Sequence, residues 1–553
     1  MKEMGKIPIT IGIVGHLDAI TTHEHNLKIE QLFKDLAVKY PNSPLYLFSS
    51  LAEGADRFVA EIFLDLKRNN DEYKEKFELI VPMPFEEDEY KTDFNDKSDR
   101  EFDDLLKQAK RKFCIGCDGK KPDRAQHYLC TGKFVADSSL ILIALWDGQE
   151  GKKGGTADIV HYKRKGDDNN MAESTFEYDG SVFILPCNRN SACEQNTLVQ
   201  DERFELSLEM VLEDSAIKEA LQKIEEINSD SLKINQKTHT RSQNFLFSDP
   251  GKLEEHQKTV LNFYSILDAS ALSFNKRYMN TVICLFAIGF GIVVALAIYT
   301  NLWENRIMLS IAMFLIVSAG IIFSYSRVAK DHTRYLYNRT LAEALRIQFY
   351  WNIAGIDQKV SDYILRIHRK EFVWIEHILS SVYGVTYNDK NVVSTTIYYL
   401  TINWIKNQAN FFDSSIRRMT QKLAQYQLIS NIFFIIAIVL LLSIFPLQHF
   451  YEINKYMNPI QVLIGSFLSV FALIRAFIQI KGYGQLLNQY EMMNALYQMA
   501  EEKVGHITST HDDTEEQRAY LRELFFIIGK EALIENGNWY LILKEKEPGI
   551  EGI

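Results

Sequence analysis

Four stretches of this 553-residue chain contain no aspartate, glutamate, lysine or arginine. They are residues 281–299 (TVICLFAIGFGIVVALAIY), 307–325 (IMLSIAMFLIVSAGIIFSY), 430–447 (SNIFFIIAIVLLLSIFPL) and 459–474 (PIQVLIGSFLSVFALI). Proton relays and ion-coupled transporters keep ionisable groups inside the membrane despite their cost, so this absence argues against a secondary transporter. Positive charge is also short. The chain holds 61 Lys and Arg against 72 Asp and Glu, a formal net charge of −11, which excludes a protein that coats a nucleic-acid backbone. Cysteine is sparse at six residues, and disulfides are not expected. Cys114 and Cys117 have metal-ligand spacing, and His127 and Cys130 could complete a zinc set. However, a second CxxC is missing and Cys114 lies on a strand-like run, so the expectation is buried thiols and no metal. The opening MKEMGKIPITIGIVG has too short an apolar run, broken by glycine and proline, to read as a signal peptide.

What is present is length in the apolar runs. At 1.5 Å per residue, 19 residues are enough to cross a hydrocarbon core of about 30 Å. The runs form two pairs, each joined by a short polar turn, which reads as two membrane hairpins rather than buried core helices. Lys276, Arg277, Arg327 and Lys330 flank the first hairpin; Arg417, Arg418, Lys422, Arg475 and Lys481 flank the second. The tips carry only Arg306 and Lys455, beside Glu304 and Glu452. The positive-inside bias then places both termini and every long polar segment in the cytoplasm, in a multi-pass protein of the cell inner membrane.

The first third alternates apolar runs with amphipathic segments. Residues 7–14, 45–48, 77–81, 140–146 and 182–185 are continuously apolar, as in strands buried on both faces. Residues 24–40, 54–68 and 100–112 show helical spacing between them. This pattern predicts a Rossmann-like, doubly wound parallel α/β domain followed by an all-α membrane part with four transmembrane helices. Ligands bind such sheets at the carboxyl ends of the strands. Three loops fall there. Gly15-His16-Leu17-Asp18 follows the first strand, and Ser49-Ser50-Leu51-Ala52-Glu53-Gly54-Ala55-Asp56-Arg57 follows the second. Trp146-Asp147-Gly148 continues to Lys152-Lys153-Gly154-Gly155-Thr156-Ala157-Asp158. Small residues admit a ligand to the backbone, a helix N-terminus offers free N–H groups to phosphate, and Lys152 and Lys153 add positive charge.

These motifs, GIVGHLD, SSLAEGADR and LIALWDG with a downstream GGTAD, resemble the SLOG superfamily over residues 6–190. That group includes the Lonely-guy phosphoribohydrolases, the DNA-processing protein A fold and the cytosolic sensing region of melastatin-type TRP channels. The resemblance implies a pocket for a nucleotide-derived ligand, such as an ADP-ribose-type or cyclic nucleotide signal. Its lining would be Gly15, His16, Ser49, Ser50, Glu53, Gly54, Asp56, Arg57, Gly154, Gly155 and Thr156; Asp147, Gly148 and Lys152 join them from the third loop. The Lonely-guy loop PGGxGTxxE supplies a catalytic glutamate. Aligned on Thr156, that position holds Ile159, and Asp158 falls one residue early. Binding without turnover, with no catalytic residue, is therefore expected; the alternative is a membrane-tethered nucleotide or N-glycoside hydrolase using Glu53, Asp56 or Asp158.

The order basic helix, hairpin, amphipathic helix occurs twice. With YLYNRTLAEALRIQFYW (335–351) and EALIENGNWYLI (531–542), it resembles the SLATT two-helix membrane domain, which accompanies SLOG domains in prokaryotic conflict systems. The resemblance implies a pore-forming effector, or ion channel, in antiviral defence. Four spans are too few to enclose a wide pore, so a homo-oligomer is expected. The domain reading is 1–200 for ligand binding, 201–275 as a helical linker, 276–380 for the first hairpin with its cytosolic helices, and 381–553 for the second hairpin and C-terminal helices. The orientation is checked in intact cells by cysteine labelling: an impermeant reagent should modify cysteines placed at Asn301 and Asn454 but not at Ser181.

Overall fold

The computed structural model describes residues 5–116, 123–151, 153–165, 182–190, 214–247, 249–302, 306–364, 369–388, 401–450, 457–508 and 514–544. The continuous apolar runs become strands, buried on both faces as their composition requires. These are β1 (Ile9–Gly15), β2 (Leu45–Phe48), β3 (Phe77–Met83), β4 (Arg111–Cys114), β5 (Ile141–Trp146) and β6 (Val182–Pro186). All neighbours are parallel, in the order β4-β3-β2-β1-β5-β6. Ile11 lies opposite Leu47 on one side and Ile141 on the other. Strand order therefore reverses between β1 and β5, the position at which such sheets open a crevice.

Helix α1 (His23–Lys39) starts at Thr22, whose Oγ1 accepts from His25 N–H at 3.3 Å while His25 Nδ1 accepts from Thr22 N–H at 3.2 Å. Helices α2 (Ala55–Asn69), α3 (Glu87–Tyr90) and α4 (Asp96–Leu106) follow, the last capped by Asn95. The expected helix over 100–112 is shorter than its pattern suggested. Lys110 N–H donates to Leu79 O at 2.8 Å, and pairing with β3 makes a strand of Arg111–Cys114. Two further helices, α5 (Arg124–Ser138) and α6 (Thr156–Lys165), make the return crossings. Because β–α–β crossovers are right-handed, α1 and α2 cover one face and α5 and α6 the other.

Two helices cannot cover six strands. The strip over β2, β3 and β4 is closed by a segment from far along the chain, which ends in helix α12 (Arg369–Thr386). Helices α7 (Ser215–Ser231), α8 (Gln236–Leu246), α9 (Glu255–Asn301), α10 (Arg306–Ala329) and α11 (Asp331–Ala354) lie between. Tyr383, Val385 and Tyr387 join Phe48, Ile80, Phe113 and Phe134 in one core. The rings of Phe113 and Tyr387 are 5.2 Å apart, and those of Phe134 and Tyr387 4.9 Å. Arg111 holds the end of α12 by donating to Val385 O and Tyr387 O, a cation at a helix C-terminus. Lys359 pairs with Asp137 at 2.6 Å, and the hydroxyls of Thr10 and Ser381 are 2.7 Å apart.

Contacts accordingly divide the chain into Met1–Leu267 with Ala344–Ser394, and Asp268–Glu343 with Thr395–Ile553. Residues 344–380, grouped with the first hairpin on sequence, belong to the sheet unit, and two of the three unit boundaries fall within α9 and α11.

The described residues of the second unit are built into helices. After α9 and α10 it contains α13 (Asn407–Phe450), preceded by a π-helical turn, Thr401–Lys406. Then follow α14 (Met457–Lys481), α15 (Tyr483–Thr508) and α16 (Glu515–Lys544). Among the described residues four helices are long and apolar enough to cross a membrane, and no more than 11% of any of their apolar windows is buried. A core helix would be enclosed; these expose Phe314, Val317, Ile321, Leu441 and Leu442, as lipid-facing helices do. Several serines of the spans need no partner outside their own helix. Ser310, Ser318, Ser443, Ser466 and Ser469 each donate to a carbonyl one turn back. Gly291 meets Leu315 across the first hairpin, whereas among the described residues a Cβ on Gly289, Gly320 or Gly465 would meet nothing beyond its own helix within 4 Å. Close packing within one chain thus uses only the first of these four glycines. Outside the spans, Arg339 bridges Asp268 and Glu343, Asn536 donates to Thr340 O at 2.9 Å, and Tyr335 meets Trp539 edge-on at 5.7 Å.

A Cβ on Gly384 would lie 2.3 Å from Ser138 Cβ and 3.2 Å from Phe48. Gly384→Val should therefore destabilise the detergent-solubilised chain by about 1–3 kcal/mol, while Gly289→Val, in open space, leaves its thermal midpoint unchanged.

Candidate functional site

The carboxyl edge of the sheet brings the first two loops together. Gly15 ends β1 where a Cβ would collide with Ala55 Cβ at 2.3 Å, and Gly54 takes φ +77° where a Cβ would lie 2.2 Å from Leu17 O. Ala55 N–H donates to His16 O at 3.2 Å. The two loops are zipped backbone to backbone, and that contact, with the positive φ of Gly54, accounts for both glycines. At the reversal point, His16 Nε2 is 3.0 Å from Asp147 Oδ1 and 3.2 Å from Asp147 N. One ring nitrogen serves one of these at a time: protonated, it donates to the carboxylate; unprotonated, it accepts from the amide. Asp147 Oδ1 also accepts from Gln149 N–H at 3.0 Å, and Gly148 turns the chain at φ +80°.

The stretch after β6 crosses over this crevice. Ile20 N–H donates to Asn188 O at 2.8 Å, Asn190 N–H to Asp18 O at 3.0 Å, and Arg189 Nε to Asp18 Oδ1 at 3.0 Å. The His16 and Asp147 side chains are left about a tenth exposed. Arg189 and Asn188 escaped the sequence reading because nothing local marks a residue as a strap.

The second loop opens elsewhere, toward α4. Leu51, fully buried, takes φ +56°, a conformation a bulky residue adopts only when its surroundings impose it. Ser49 Oγ donates to Asp56 O at 3.3 Å and accepts from Leu51 N–H at 3.2 Å. Arg57 is only 5% exposed; its Nε donates to Leu51 O at 2.9 Å and its Nη1 to Ser98 O and Oγ at 2.8 and 2.7 Å. Its guanidinium lies 4.5 Å from the Phe94 ring centre, and burial lowers its pKa. Nη2 of Arg57 and the Tyr90 hydroxyl are buried without hydrogen-bond partners. Glu53, Gly54, Arg57, Asn95, Ser98 and Glu101 line a cleft of about 350 Å³ at this point. Asn95, Ser98, Glu101 and Tyr90 were missed on sequence, although Asn95 carries a legible helix-start signal in FNDKSDR.

The third loop packs against α5. Gly154, at φ +79°, has no room for a Cβ beside Ala125 O at 2.6 Å. Its N–H donates to Asp158 Oδ2 at 2.8 Å, so Asp158 closes its own helix start. Ile159 is buried and packs into the space left by Gly132, where a Cβ would be 2.6 Å from Ile159 Cδ1. Thr156 is buried, Lys153 is exposed and Gly155 is partly open; Lys152 lies outside the described residues.

Among the described residues no group of His, Cys, Asp or Glu could hold a metal. Cys117 lies outside them. Cys130 is disulfide-bonded, while Cys187 and Cys284 are free thiols. This corrects the expectation of free thiols throughout and removes Cys130 from any zinc set. Comparison with protein-family models gives no match, and comparison with curated proteins gives none either.

Burial raises the Asp56 carboxyl to about 7, against the lowering effect of backbone N–H groups from Ala52 and Ser50 and of the Arg57 charge. The folded value lies above the unfolded one, so the stability Asp56 contributes is fully present below its ordinary value of 3.8 and lost as pH rises through about 7. Thermal midpoints should fall between pH 4 and 7 in the parent chain, and Asp56→Asn should flatten that decline.

Proposed function

We propose that the protein is a membrane effector whose sheet unit senses a nucleotide-derived signal and whose hairpins, assembled as a homo-oligomer, form or gate a pore. The observation that carries this reading is the placement of residues 344–388. This one segment completes the core of the ligand-type sheet, and in sequence it joins span two to span three. A change at the sheet thus has covalent routes toward the spans at 267/268, 343/344 and 394/395.

Several features support binding over turnover. The position aligned with the hydrolase glutamate is a core isoleucine, Ile159, and Asp158 is engaged by Gly154 N–H. The acceptors Glu53 and Glu101 suit ribose hydroxyls, and the start of α6 at Gly155 and Thr156, with Lys153 nearby, suits phosphate. The open positions at Gly289, Gly320 and Gly465 fit contacts between copies. The charge pattern favours the cell inner membrane with both termini cytoplasmic, and the SLOG and SLATT resemblances support a role in prokaryotic antiphage defence. A ligand can shift gating only by its difference in affinity for the open and closed states.

The test uses the full chain. Calorimetry with ADP-ribose and with cyclic nucleotides should detect binding that Gly155→Val weakens at least tenfold, roughly 1.4 kcal/mol. Liposomes bearing the protein should leak ions only with that ligand, and Gly320→Leu should stop the leak without changing affinity. Turnover of the nucleotide by a monomer in sealed liposomes would install the hydrolase reading instead.

A further inference from the structure

Among the described residues, the cations at the inner ends of the second hairpin other than Arg417 have no acidic partner. From Ser414 to Tyr490 the only acidic residue is Glu452, at the hairpin tip, yet Arg417, Arg418, Lys422, Arg475 and Lys481 fall in the same stretch. Arg417 reaches back to Asp413. Arg475 Nη2 donates to the neutral Asn431 Oδ1 at 2.8 Å, and Arg418 to the Ser415 hydroxyl at 3.1 Å. The first hairpin differs, because Arg277 is 3.6 Å from Asp331.

Lys422 on α13 and Lys481 at the end of α14 are brought together by antiparallel packing of these helices. The Tyr426 ring sits 5.6 Å from Phe477 and 6.2 Å from Tyr483. The Tyr426 and Tyr483 side chains are within hydrogen-bonding reach of each other. Lys481 is half-buried and lies close enough to Lys422 to feel its charge. Burial, and to a lesser degree the like charge of Lys422, lowers the Lys481 pKa. Among the described residues neither has a carboxylate partner. About two helical turns further along α13 the surface becomes apolar and open, with Leu428 62% and Ile432 46% exposed.

We propose that the phosphate of an anionic phospholipid headgroup sits between Lys422 and Lys481, with Tyr426 and Tyr483 beside it and the acyl chains along the exposed face of α13. The lipid rather than a soluble anion is specified by that adjoining apolar face: lysine stems extend toward the headgroup layer while the helix meets hydrocarbon. The inference rests on the membrane reading and not on nucleotide sensing.

The test is native mass spectrometry of the full-length protein released from nanodiscs of phosphatidylcholine with and without phosphatidylglycerol. The parent should retain phosphatidylglycerol, Lys422→Gln with Lys481→Gln should retain it roughly tenfold less, and Arg417→Gln should match the parent. Exposed Lys422→Gln alone gives an intermediate loss and guards against misfolding of the double variant. Nucleotide affinity should be the same in all, which separates this site from the sensing reading. Equal retention by parent and double variant would overturn the proposal. Displacement of the lipid by millimolar inorganic phosphate would overturn it too, by making the site one for soluble anions.

Discussion

A parallel sheet must be covered on both faces, and here the chain's own crossovers leave part of one face bare. On the α5 and α6 side the apolar surface of Phe48, Ile80 and Phe113 would meet water. Tyr383, Val385 and Tyr387 remove it from water instead. Fully burying side chains of this size is worth about 1.5–3 kcal/mol each, before cavity terms, so the sheet and the segment between the hairpins fold as one unit. Arg111 at the end of α12, and Lys359 on Asp137, hold that segment in register.

The same packing logic reinterprets the glycine motifs. Gly15, Gly54 and Gly154 each stand where a Cβ would strike another part of the fold, so their presence is explained without any ligand. The features that packing does not explain lie one loop over: Leu51 in a left-handed conformation, a buried arginine with one unpartnered nitrogen, and the unpartnered Tyr90 hydroxyl. If the sheet binds a nucleotide as proposed, the cleft beside Arg57 is more open to it than the crevice strapped by Arg189.

In the helical unit, polar groups are settled in three ways. Ser310, Ser318, Ser443, Ser466 and Ser469 are satisfied within their own helices, which suits surfaces that are mostly unburied. Arg339, Asp268 and Glu343 satisfy one another outside the apolar windows. Among the described residues the second hairpin's inner lysines, Lys422 and Lys481, have no such acidic partner.

The amino-acid sequence by itself determined the elements whose signal is local. Uncharged runs specify membrane-length helices, and continuous apolar runs specify the buried strands β1, β2, β3, β5 and β6, because hydration acts residue by residue along the chain. Helix starts at Thr22 and Asn95 are equally local. Only the tertiary structure decided what depends on distant partners. Arg111–Cys114 is a strand because β3 is beside it. Residues 344–388 join the sheet because Thr10 meets Ser381, 371 positions away. The cleft at Arg57 exists because α4 folds back over α2. Burial of these groups is fixed by which surface the chain returns to cover, and no local pattern of hydropathy or charge encodes that address.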